Sequence, residues 1–177
     1  MKIISVFGSS LPKPGQSDFE TAYELGRYLA EAGFAVANGG YIGTMTAVSQ
    51  GAADAGGHVI GVTCDEIEAW RPVHPNQWIS QEIRYPTLWE RLTHVVTQND
   101  GIIALPGGVG TLAEVALAWN QLQVQVIPPR PFVLLGALWR RTWDAFTNSP
   151  YVPESHQALV HLVETPQEAV SLMGQSE

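Results

Sequence analysis

Residues 104–120 read ALPGGVGTLAEVALAWN: an apolar run, then Pro106, Gly107, Gly108, Gly110 and Thr111, then a carboxylate, Glu114, in a segment of helical periodicity. A glycine-rich turn that opens a helix presents backbone N–H groups at the positive end of the helix dipole, and that is an anion site. A carboxylate beside an anion site suggests chemistry. The same letters also have a purely structural reading. Thr111-x-x-Glu114 has the spacing of a capping box, in which the two side chains satisfy the first N–H groups of the helix. Spacing alone leaves both readings open, and they are compatible, because a capped glutamate is held rigidly beside whatever the glycines bind.

Two further loops carry similar chemistry. NGGYIGTM (38–45) supplies Gly39, Gly40, Gly43 and Thr44 between a strand pattern and a helix pattern, and VFGSS (6–10) supplies Gly8 and Ser9 after the first strand pattern. Either could hold a phosphate through amides and hydroxyls, or could be glycine-rich only because tight turns need it. A dinucleotide site is disfavoured. The spacing is G-G-x-x-G rather than G-x-G-x-x-G, and the end of the second strand, Ala37-Asn38, has no carboxylate for a ribose. Arg91, in TLWERLTHV, reads on its own as a solvated charge on an amphipathic helix. The five histidines show no metal-ligand spacing, so no metal site is expected. Ser9 and Ser10 lack the context of a nucleophile elbow. Lys2 and Lys13 are the only lysines, one before the first strand and one in a loop, which argues against a pyridoxal-phosphate enzyme.

The elements that must position these residues alternate along the chain. Strand patterns fall at 3–7, 34–38, 58–62, 101–105, 131–136 and 158–163, and amphipathic stretches at 17–32, 43–56, 86–98, 111–123, 139–147 and 166–173. Thr165-Pro166, with Glu168 following, marks the start of the last helix. Segments 65–80 and 126–132 read as irregular loops. Strands apolar on both faces and separated by helices predict a Rossmann-like, doubly wound α/β fold, with a mainly parallel sheet and helices on both faces. The 177 residues suit a single domain over 1–177. In such a sheet ligands bind outside the carboxyl ends of the strands, where all three glycine-rich loops fall.

The formal charge is −8 and the nine basic residues are scattered, so nucleic acid is not an expected partner. One cysteine excludes an intramolecular disulfide. No apolar run reaches signal-peptide or membrane length, so no membrane association and a cytoplasmic location are expected.

PGGVGTLAE (106–114) resembles the P-G-G-x-G-T-x-x-E signature of the LOG family, the cytokinin riboside 5'-monophosphate phosphoribohydrolases formerly described as lysine decarboxylases. VFGSS, GGYIGTM, AGGHVIGV (55–62), NDGIIALPGG (99–108) and LVHLVETPQEAV (159–170) resemble family segments in the family's order, so the likeness covers nearly the whole chain. The resemblance implies a homodimer, or a higher assembly of dimers, with active sites near the subunit interface. It implies hydrolysis of the N-glycosidic bond of a nucleoside 5'-monophosphate, such as a cytokinin ribotide or AMP, without a cofactor. It assigns the catalytic pair to Arg91 and Glu114, and the phosphate to the amides of Gly107, Gly108, Gly110 and Thr111. The chain departs from the family in three places. Leu92 stands where family enzymes usually carry lysine, Val109 replaces an aromatic residue, and 65–85, a region that in the family helps shape the base pocket, has no clear counterpart. The molybdenum-cofactor carrier proteins share the fold and a related signature. Likeness to them implies instead a protein that binds a phosphorylated pterin, the molybdenum cofactor being its ligand.

Overall fold

Period-two alternation along each apolar strand sorts the core into two layers. The computed structural model describes residues 1–174; the last three residues of the unit expected over 1–177 lie outside them. β1 (Ile3–Phe7), β2 (Ala35–Asn38), β3 (Val59–Cys64), β5 (Gly101–Ala104) and β6 (Phe132–Leu135) are buried along almost their whole length. Ile4, Val6, Val36, Val59, Ile103 and Val133 face one layer, and Phe7, Ala37, Ile60, Val62, Ile102 and Leu134 face the other. The first layer is closed by α1 (Ser17–Glu31), α2 (Thr44–Asp54) and α8 (Pro166–Met173). The second is closed by α4 (Leu88–Thr97), α5 (Val109–Gln123) and α6 (Ala137–Thr147).

With β4 (Gln81–Tyr85) and β7 (His161–Val163), the sheet has seven parallel strands in the order β4-β3-β2-β1-β5-β6-β7. The chain winds outward from β1 to β4, returns across α4, and resumes at β5 on the other side of β1. Ser5 is in register with Ala37 on one side and Ile102 on the other. The reversal of winding between β1 and β5 opens a crevice above their carboxyl ends, as expected for a doubly wound sheet.

α1 and α2 pack backbone to backbone. A Cβ at Gly26 would lie 2.1 Å from the Val48 carbonyl oxygen, and one at Gly51 would lie 1.9 Å from that of Tyr23. Thr165 and Glu168 form the capping box expected at the start of α8.

The structure corrects the expected irregular loop over 65–80. Residues 65–70 form α3 (Asp65–Trp70), and the sheet gains its edge strand β4 immediately after residue 80. Neither shows an apolar pattern, because α3 has no buried residue and β4 is half-buried at most. The strand expected at 158–163 shortens to β7, preceded by the short helix α7 (Glu154–Gln157). No helix of the described residues is long and apolar enough to cross a membrane.

Candidate functional site

A cleft of about 570 Å³ lies at the reversal point. Gly8, Ser9, Ser10 and Leu11 wall it after β1, Gly39 and Tyr41 after β2, and Gly108 to Thr111 after β5. Ile67, Trp70 and Arg71 close it from α3 and the residue beyond, and Leu88 and Arg91 reach in from α4.

Arg91 and Glu114 meet at the cleft as a buried ion pair. Arg91 is 8% exposed and Glu114 is 6% exposed, and Nη1 of the arginine donates to Oε1 of the glutamate at 2.8 Å. Arg91 Nε donates to the Val62 carbonyl at 3.1 Å, which fixes the plane of the guanidinium. Its Nη2 lies over Gly39, where a Cβ would stand 1.9 Å from it. Gly39 thus lines the cleft and also clears the space that Arg91 occupies. The start of α4 is set by a capping box between Thr87 and Glu90, and Leu88 N–H donates to Glu66 Oε2 at 2.7 Å. Among the described residues, Glu114 Oε2 has no protein donor and is left to the cleft. Burial raises the Glu114 carboxyl above its ordinary value, with the Arg91 guanidinium opposing the shift.

Thr111 and Glu114 do not form a capping box. α5 begins two residues earlier than the periodicity suggests, with Gly108 as its N-cap and no side-chain cap. Thr111 therefore sits inside the first turn, buried against Gly107, where a Cβ would lie 2.2 Å from its Oγ1. Glu114, one turn further on, is released to pair with Arg91.

The glycines of the three loops have different physical duties. Gly8 lets the β1 loop approach Thr44, since a Cβ there would lie 2.3 Å from Thr44 Oγ1. Thr44 donates both its N–H and its hydroxyl to the Ser9 carbonyl, at 2.8 and 3.0 Å, so the β1 loop occupies the start of α2. Gly40 and Gly43 have positive φ, 79° and 72°, and neither lines the cleft; nor does Thr44. Gly108 and Gly110 contrast with all of these. Neither has positive φ, and a Cβ on either meets nothing within 4 Å. Packing does not demand glycine at either place, and both face the cleft. Pro106 and Gly107 line an adjoining hollow with Ser9 and Gly108.

α3 forms a wall of the cleft within 65–85, the segment that the family resemblance associates with the base pocket, although no residue of it stands out in the sequence. Arg84 on β4 binds Glu68 through two nitrogens at 2.8 Å and Asp65 at 2.7 Å. Tyr41, buried under α3, donates to the Cys64 carbonyl at 3.1 Å and accepts from Cys64 N–H at 2.9 Å, and burial pushes its hydroxyl pKa up to about 12. These contacts hold Trp70 and Arg71 at the rim. Asn38, where a dinucleotide site would place a carboxylate, instead accepts from Gly40 N–H at 2.8 Å and donates to Ser49 at 2.9 Å. Leu92 is packed against the core on the α5 side of the sheet and does not line the cleft. Among the described residues, no cluster of His, Cys, Asp and Glu could hold a metal ion.

The model of the SLOG cluster4 family matches residues 1–170. A rice (Oryza sativa subsp. japonica) relative named "Probable cytokinin riboside 5'-monophosphate phosphoribohydrolase LOGL5" is 34% identical over 137 residues. That match covers 71% of this chain and 51% of the relative, so the chain spans about half the length of the curated relative. The molybdenum cofactor binding protein from Rippkaea orientalis superposes with a TM-score of 0.77 at 27% identity, covering 98% of this chain and 95% of that one. The molybdenum cofactor carrier protein from Chlamydomonas reinhardtii superposes with a TM-score of 0.75 at 27% identity, covering 98% and 96%.

Proposed function

The chain belongs to the SLOG cluster4 family, and from that premise we propose that its cleft hydrolyses the N-glycosidic bond of a nucleoside 5'-monophosphate, a cytokinin ribotide or AMP. The observation that carries the reading is the buried Arg91–Glu114 pair with one carboxylate oxygen left to a cleft that also contains the uncapped start of α5. The 5'-phosphate sits on the backbone amides at Gly108–Thr111, where the helix dipole favours it. The ribose then faces Glu114. As the bond from C1' to the base nitrogen breaks, its electron pair leaves with the base and positive charge develops on the ribose. The carboxylate stabilises that charge. Water adds to C1' and one of its protons ends on the base, giving free base and ribose 5-phosphate. Arg91 keeps Glu114 oriented and keeps its ionised form accessible inside a buried site. No cofactor is required by these steps.

A second reading is favoured by the solved structures described as molybdenum cofactor binding or carrier proteins, which cover nearly all of this chain. In it the same amides hold the phosphate of a pterin and nothing is turned over. We also propose that the chain forms homodimers. Besides the cleft, an apolar groove of about 550 Å³ runs between α5 and α6, lined by Leu112, Trp119, Trp143, Phe146 and Tyr151 among others. α5 is apolar around most of its circumference, as expected of a helix covered on its outer face as well.

Incubation with AMP and with isopentenyladenosine monophosphate, followed by chromatography for free base, tests the hydrolase reading. Base release from at least one is expected, and Glu114→Gln should lower kcat by about 10²-fold or more, the order lost with one electrostatic stabiliser, while nucleotide still binds. Binding without release, unaffected by Glu114→Gln, favours the carrier. Because the ionised carboxylate is the working form, kcat/KM should fall as pH drops through the pKa of Glu114. Burial places that acid limb above the ordinary carboxyl value of 4.5, and it should be absent from any residual activity of Glu114→Gln. Gly110→Ala separates ligand from packing. It should raise stability in urea by about 0.5–1 kcal/mol yet weaken AMP binding, whereas unchanged AMP affinity would remove the phosphate from this turn. Light scattering should give twice the 19.2 kDa chain mass, and Phe146→Glu, at a position 61% exposed in the chain, should return the monomer.

A further inference from the structure

The cleft has two guanidinium groups, and one of them is already neutralised. Arg91 is paired with Glu114 at 2.8 Å. Elsewhere Arg27, Arg84 and Arg140 are paired with carboxylates. Arg71 differs: among the described residues it makes no ion pair. Its Nη1 donates to Ser10 Oγ at 3.2 Å, its guanidinium carbon stands 5.5 Å from the centre of the Trp70 ring, and its Nε is buried without a hydrogen-bond partner.

The position of this charge is fixed by the backbone. Arg71 N–H donates to the Ile67 carbonyl at 2.9 Å, and α3 is anchored to β4 by the Arg84 contacts with Asp65 and Glu68. Ser10, which receives Arg71, follows Ser9, and Ser9 shares the adjoining hollow with Gly107 and Gly108. The guanidinium is thereby brought to the side of the cleft where the β1 loop meets the glycine turn. That turn, PGGVGT, has no charged side chain of its own. A phosphate dianion held there by amides alone would keep its full charge in a protein whose formal charge is −8.

We propose that Arg71 is the counter-cation of the cleft, pairing with the phosphate group of the ligand beside the α5 amides, from the β1-loop side. This rests on reading the cleft as a phosphate site, and it holds for a nucleotide and for a phosphorylated pterin alike. Planar, two-pronged donation suits arginine to a phosphate and leaves Ser10 as the residue that orients it. Trp70 backs the guanidinium, as aromatic faces do for cations.

Calorimetric titration tests it with ribose 5-phosphate, AMP and adenosine, on the wild-type chain, Arg71→Gln and Arg71→Lys. Arg71→Gln should lose at least tenfold in affinity for ribose 5-phosphate and for AMP, with adenosine affinity unchanged. Arg71→Lys should recover part of the loss, and the wild-type affinity for AMP should fall more steeply with salt than that of Arg71→Gln. Both variants should keep the wild-type melting temperature. An equal loss for AMP and adenosine would assign Arg71 to the base or to the fold, and no loss would overturn the proposal, as would a wild-type chain that fails to bind ribose 5-phosphate. AMP binding that depends on Arg71 without base release would contradict hydrolysis and leave Arg71 standing. Base release with Arg71→Gln binding AMP as the wild type does would have the opposite meaning.

Discussion

Arg91 and Glu114 bring opposite charges together where little water reaches either, and the surrounding structure is arranged to make that tolerable. Two charges removed from water lose several kcal/mol of hydration each, on the order recovered only when their geometry and remaining hydrogen bonds are good. Here the missing bonds come from the Val62 carbonyl, and the room comes from Gly39, whose lack of a side chain admits the guanidinium. α4 brings the arginine from one side and α5 brings the glutamate from the other, so the pair also ties together two helices of one layer. Truncating one partner would strand the other, at a cost of roughly 3–5 kcal/mol. A pair of this kind is weak evidence for stability in itself. Its value is in holding one carboxylate, with one oxygen free, at a fixed place beside a helix start.

That dependence explains the division of labour among the glycines. Those of the β1 and β2 loops mostly serve the protein, by admitting Thr44, by adopting positive φ, or by clearing Arg91. Among the described residues, only at Gly108 and Gly110 does the added Cβ meet open space without positive φ. Glycine content alone therefore overstates how much of this crevice meets a ligand. The start of α2, which resembles an anion site in sequence, is occupied by the Ser9 carbonyl.

The strands were legible because burial on both faces leaves an unbroken apolar run, as in Val59–Cys64 and Phe132–Leu135. α3 and β4 were not, because a surface helix of Asp, Glu and Trp and a half-exposed edge strand write no such pattern. Consequently no local pattern marks Trp70 or Arg71, and only the family resemblance associates 65–85 with a pocket. The spacing Thr111-x-x-Glu114 suggested a cap that the structure lacks, since the helix starts earlier and Thr111 packs on Gly107. Arg91 looked like a surface charge from its helical periodicity, and only its resemblance to a family position marked it out. Its burial depends on Gly39 and Val62, 52 and 29 residues away in sequence, and no local pattern encodes that.

What the proposed reaction requires above all is spatial: a phosphorylated ribose lying with its phosphate on the first turn of α5 and its C1' toward residue 114. A crystal structure of the Glu114→Gln variant with AMP bound would show this arrangement or its absence. Phosphate density is expected against the amides of Gly108–Thr111, with the glycosidic carbon beside the side-chain amide introduced at position 114. Phosphate density at the start of α2, or AMP seated in the groove between α5 and α6, would contradict it.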